Sequence, residues 1–107
     1  MITVIIKYFG NNGNAKKFMN EMIDNKIVEK IRNEKGNLGY EYFLPIEDDN
    51  YVLLMDSWEN QEALDEHHES NTMNKIMELR NKYDLHMKVE RYVLEDNNER
   101  DNKYIKK

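Results

Sequence analysis

The chain contains no cysteine. That absence excludes a disulfide scaffold, a thiolate nucleophile, a cysteine-ligated zinc and an iron–sulfur cluster. One proline and four glycines among 107 residues leave no flexible linker, and the length suits one domain. No apolar run reaches the roughly 18 residues of a membrane span; residues 1–10 are apolar but alternate and carry no basic lead-in. Basic residues cluster only at the extreme C-terminus, and 16 of them against 21 acidic residues give a net charge of −5. Nucleic acid and anionic membrane are therefore not expected as partners. Glycine-rich nucleotide loops, a G-x-S-x-G elbow and an H-E-x-x-H zinc helix are all missing. A soluble, cytoplasmic protein is the expectation.

What the chain does have is patterning. Ile2-Thr3-Val4-Ile5-Ile6-Lys7-Tyr8-Phe9 is β-branched and aromatic, and Gly10-Asn11-Asn12-Gly13 ends it as a turn. Phe18, Met22, Ile23, Ile27 and Ile31 then recur at helical spacing, with Asn14 as the expected cap and Gly36 as the C′ glycine. Leu38 to Leu44 alternates and turns at Pro45 into Tyr51-Val52-Leu53-Leu54-Met55-Asp56-Ser57-Trp58. A second helical region starts at Asn60 and is expected to break near Ser70. Residues 85–94 alternate as a last strand. The domain should occupy residues 1–95, with 96–107 as a charged tail.

Strand, helix, strand, strand, helix, strand is the β-α-β-β-α-β order of ferredoxin-like α+β folds with an antiparallel sheet. Both helices cover one sheet face there, so a monomer needs a polar opposite face. The first and third strands instead carry apolar residues on both faces: Val4, Ile6 and Tyr8 against Ile5 and Phe9, and Tyr51, Leu53 and Met55 against Val52 and Leu54. Each exposed side chain forgoes roughly 1.5–3 kcal/mol. A homodimer covers that face most simply.

Without cysteine, chemistry falls to His, Trp, Tyr and carboxylates. Trp58 closes the third strand, and His67 lies nine residues later on the following helix, so the two can converge between sheet and helices. His68 lies about 100° around that helix from His67, and periodicity alone does not decide which faces inward. A buried histidine there is either a satisfied core residue or a general base. No His pair at i, i+4 supports a metal, and none is expected. His86 faces either the helices or a partner. Asp24, Glu29 and Glu34 read as a solvated helix face, and the methionines as core packing that also suits an adaptable pocket.

Two segments carry a resemblance: Glu34-Lys35-Gly36-Asn37-Leu38-Gly39-Tyr40 and Trp58-Glu59-Asn60-Gln61-Glu62-Ala63-Leu64-Asp65-Glu66-His67. They are similar to the E-x-G-x-x-x-Y turn and the W-x-[DN]-x-x-A-[LF]-x-x-H run of the antibiotic biosynthesis monooxygenase domain family, over about residues 1–95. The resemblance implies a dimeric α+β barrel with a small-molecule pocket between each sheet and its own helices. It further implies monooxygenation of a quinol or related aromatic by dioxygen without cofactor, with the substrate supplying the electrons. On that reading His67 is the base or proton relay and Trp58 the wall and N–H donor. Tyr8, Tyr40, Tyr51 and Met55 line the pocket, with His68 and His86 as further candidates. The haem-degrading branch is resembled less, since it has Trp at the position of His67. The alternatives are a non-catalytic dimeric binding module, or a non-redox isomerase with Lys7 as its phosphate-binding cation.

Overall fold

The computed structural model describes residues 1–95 and 99–107. Its elements are β1 (Ile2–Phe9), α1 (Asn14–Asp24), α2 (Ile27–Arg32), β2 (Asn37–Phe43), β3 (Tyr51–Trp58), α3 (Gln61–His68), α4 (Asn71–Lys82), β4 (His86–Val93) and α5 (Glu99–Asn102). The four strands form one antiparallel sheet in the order β2-β3-β1-β4. This is the α+β ferredoxin-like arrangement that the element order implied.

Strand register assigns every side chain to a face. Ile2, Val4, Ile6 and Tyr8 stand opposite Trp58, Asp56, Leu54 and Val52, and this side packs against α1–α4 around buried Phe18, Met22, Ile31, Leu64 and Ile76. The open side carries Ile5, Lys7 and Phe9 beside Met55, Leu53 and Tyr51, with exposed Phe43 and Tyr92 flanking them. The helix layer stops short of β4, whose Met87, Val89 and Val93 remain exposed.

Both helical regions are divided. The break near Ser70 falls where expected: Asn60 caps α3 through Ala63 N–H at 2.9 Å, and Ser70 caps α4 through Met73 N–H at 3.2 Å. The first region, expected as one helix, splits at Lys26, which takes a left-handed φ of 60°. The five-residue step from Met22 to Ile27 is the physical reason. It is out of phase with a 3.6-residue turn, and restarting the helix returns Ile27, Val28 and Ile31 to the core. Two capping expectations change. Asn14 does not cap α1 but ties its side-chain amide to the Tyr83 carbonyl at 3.0 Å. Gly36 does adopt a positive φ of 82°, but α2 has already ended at Arg32, so this glycine shapes the turn into β2.

The tail's described part, residues 99–107, is exposed throughout. Its first three residues, 96–98, lie outside the described residues. No helix among the described residues is long and apolar enough to cross a membrane.

Candidate functional site

The two sequence motifs meet at one junction. Gly36 accepts a hydrogen bond from Glu59 N–H at 2.9 Å through its carbonyl, and its Cα packs directly on Ala63. This contact seats the α2–β2 turn on the first turn of α3. It thereby places Glu34 beside His67, with Nδ1 3.0 and 3.2 Å from the two carboxylate oxygens. Glu34, expected on a solvated face, is instead the hydrogen-bond acceptor of the buried His67 ring, and its place in the E-x-G motif was the available signal.

His67 is 4% exposed and stacks on the Trp58 indole at 4.7 Å between ring centroids. A carboxylate only accepts, so Nδ1 carries the hydrogen and Nε2 keeps the free lone pair of the neutral ring. Burial lowers the His67 pKa below its ordinary 6.5, and Glu34 opposes that by favouring the charged form. A neutral ring with one lone pair available is the state a proton acceptor requires at neutral pH.

Trp58 is fully buried. Its Nε1–H donates to Asp56 Oδ1 at 2.7 Å. Asp56 is 5% exposed, and burial raises its pKa to about 7, with the Trp58 hydrogen bond and Arg80 pulling the other way and Glu34 adding to the rise. Sequence reasoning passed over this carboxylate. Its alternation with Val52, Leu54 and Trp58 was the signal that placed it on the buried side.

Beyond Asp56 the layer continues through three phenols and a guanidinium. Arg80 on α4 donates to the Tyr8 hydroxyl at 2.8 Å and lies over its ring. Tyr40 sets its ring edge-on to Tyr42 at 5.8 Å. Burial raises the pKa of all three tyrosines, so each stays a neutral donor at physiological pH. Two buried polar atoms in this layer, the Tyr42 hydroxyl and Arg80 Nε, have no hydrogen-bond partner among the described residues. Tyr40 and Tyr42 nonetheless act on each other as hydrogen-bonding neighbours, which adds to the rise at Tyr40 and opposes it at Tyr42. Tyr42 also walls a groove of about 770 Å³ between α1, α2 and β2.

Trp58, His67, Tyr8 and Tyr40 therefore share the covered side of the sheet, joined by Glu34, Tyr42, Asp56 and Arg80, which the sequence reading did not select. The other candidates stand apart. His68 is exposed on α3, its ring 5.7 Å from that of His67. Tyr51 and Met55 lie on the open side of β3, and His86 lies beside Phe9 on the same open side. Lys7 is there too, its ammonium 5.0 Å from the Tyr51 ring centroid. Among the described residues no three His, Asp or Glu side chains are placed to share a metal ion.

Solved structures share this architecture. A candidate antibiotic biosynthesis monooxygenase from Deinococcus radiodurans superposes with a TM-score of 0.78 at 15% identity, covering 91% of this chain and 95% of that one. PA3566 from Pseudomonas aeruginosa gives 0.73 at 21% identity over 88% and 94%. SnoaB, a cofactor-independent oxygenase from Streptomyces nogalater, gives 0.73 at 8% identity over 90% and 94%. No curated protein matches the chain. The family model described as antibiotic biosynthesis monooxygenase matches residues 1–79, and both of its motif segments build the junction described above. The chain belongs to the antibiotic biosynthesis monooxygenase family.

Proposed function

We propose that this protein is a cofactor-independent monooxygenase acting on a quinol or related small phenol with dioxygen. The supporting observation is the pair of unmet donors, Tyr42 hydroxyl and Arg80 Nε, in a buried layer that also holds His67 and Asp56. Leaving buried donors unpaired costs about 1–3 kcal/mol each. A ligand oxygen that becomes an anion during reaction would satisfy them. In such a dry environment a phenolate is held strongly by fixed donors and by a guanidinium.

The chain's own part is proton and charge management. His67 Nε2 accepts the phenolic proton, while Glu34 holds the ring by Nδ1 and Trp58 holds its face. Tyr42 and Arg80 stabilise the resulting anion. The electrons come from substrate: for 1-naphthol, one dioxygen gives 1,4-naphthoquinone and one water, with one oxygen atom in each product.

The same reading includes a homodimer. The apolar open face, with Phe9, Phe43, Met55 and Tyr92 exposed, is the surface a second copy would cover. Lys7, the cation named for the isomerase alternative, lies on the face away from the buried layer. Oxygen uptake by the purified protein with 1-naphthol tests the proposal. The reading expects uptake that is lost in His67→Ala; binding without uptake would instead support the non-catalytic binding module.

A further inference from the structure

We propose that Asp56 is a positioning residue for His67, acting through Trp58: it fixes the indole on which the imidazole is stacked, and so fixes where Nε2 points. The proposal rests on the functional reading above for the reaction that Nε2 serves, and gives a role to a buried carboxyl that the proton transfer does not use.

Leu54, Asp56 and Trp58 alternate along β3, so the carboxyl and the indole leave the strand on the same face, the one that the helices cover. Val4 on β1 and Tyr40 on β2 stand opposite Asp56 on either side. From that place Oδ1 accepts the Nε1 hydrogen of Trp58 at 2.7 Å, while the indole face carries the His67 ring at 4.7 Å with 29° between the planes. The two contacts restrain different motions. A stack resists tilting but lets one ring turn over the other, whereas a hydrogen bond at the ring edge resists turning. The imidazole is held by the same pair of contacts, its face on Trp58 and its Nδ1 edge on Glu34. Each ring thus has a carboxyl at its edge, and both N–H donors are engaged. Trp58 therefore offers a ligand its ring and not its N–H, and the Nε2 lone pair of His67 is what the stacked pair leaves open.

A carboxyl is a costly anchor in this layer. Burial and the neighbouring Glu34 both disfavour its charged form, and the Trp58 hydrogen bond and Arg80 only partly oppose them. The phenols of Tyr8, Tyr40 and Tyr42 complete its titratable surroundings among the described residues. An apolar side chain of similar size would cost less here. What it could not do is accept the indole hydrogen.

NMR of the isotope-labelled whole protein reads this without substrate. Trp58 is the chain's only tryptophan, so its indole gives a single N–H signal. Asp56→Leu removes the acceptor at similar volume. It should move that signal upfield, and it should move the His67 ring-proton signals, identified by their loss in His67→Ala, away from the upfield position that the indole face imposes. Asp56→Ala, smaller and equally without an acceptor, carries the same expectations where the leucine is not accommodated. Asp56→Asn, whose amide oxygen still accepts, should leave both sets of signals near their wild-type positions. In Trp58→Phe, which lacks the indole N–H, adding Asp56→Leu should no longer move His67. In oxygen uptake with 1-naphthol, Asp56→Leu should lower kcat by roughly tenfold with little change in KM, and Asp56→Asn should keep most of the wild-type kcat.

His67 signals unmoved in Asp56→Leu, equal displacement in Asp56→Asn, or a further shift on adding Asp56→Leu to Trp58→Phe would overturn the proposal. The expected shifts in a wild type that takes up no oxygen remove the oxygenase reading and leave the positioning role. Oxygen uptake with His67 unmoved in Asp56→Leu removes the positioning role and leaves the reading.

Discussion

Gly36 and Ala63 approach so closely that a methyl group on Gly36 would lie 2.5 Å from the Ala63 Cβ. The contact joins the two motif segments and fixes the distance between Glu34 and His67. Gly36→Ala therefore meets a steric clash and a backbone φ of 82°, together costing about 2–4 kcal/mol. In an Ala63→Gly background only the backbone part should remain, about 1–2 kcal/mol. Urea unfolding of the four-member mutant cycle, followed by emission of the single buried Trp58, measures the coupling. Additive effects would contradict the contact.

Asp56 should make stability fall with rising pH. Its folded pKa of about 7 lies above the ordinary carboxyl value of 3.8, so the folded state keeps a proton that the unfolded chain has lost. That contribution is complete below about pH 4 and disappears as pH rises through about 7, amounting to on the order of 4 kcal/mol. Asp56→Asn should remove this part of the slope. Denaturant midpoints from pH 4 to 8 in both proteins provide the check, and parallel curves would reject the assignment.

His67 has the opposite sign. Its folded pKa lies below 6.5, so its contribution is present above 6.5 and is lost as pH falls through the folded value. Glu34→Gln removes the group that favours the charged ring and should lower the titration midpoint further. Proton NMR titration of the His67 ring reads both shifts. A midpoint that rises in the variant would show that Glu34 does not act on His67.

A charge on the open face should prevent self-association. Met55→Asp places a carboxylate centrally among Ile5, Leu53 and Phe43 on that face. Light scattering should give about twice 13.0 kDa for the wild type and a monomer for the variant. A monomeric wild type would leave the apolar face unexplained and remove the barrel from the proposal.

The strands and their order were legible because alternation carries both the element and its face: β1 and β3 begin and end where the β-branched and aromatic runs do. The helix break at Lys26 was not, because a stripe with spacings of three to five looks continuous until helical phase is counted. At the site, Trp58 and His67 were visible from their spacing in the motif. Asp56 and Glu34 were harder, since a carboxylate in sequence looks solvated whatever encloses it. Arg80 and Tyr42 depend on which strand and helix come to face one another, a relation of 72 residues between Arg80 and Tyr8 that no local pattern carries.

Oxygen-isotope analysis tests the oxygenase proposal most directly. With 1-naphthol under ¹⁸O₂, the proposal predicts 1,4-naphthoquinone carrying one ¹⁸O atom, the other ¹⁸O appearing in water, and loss of this product in His67→Ala. Unlabelled quinone, or labelled quinone formed equally by the His67 variant, would contradict it.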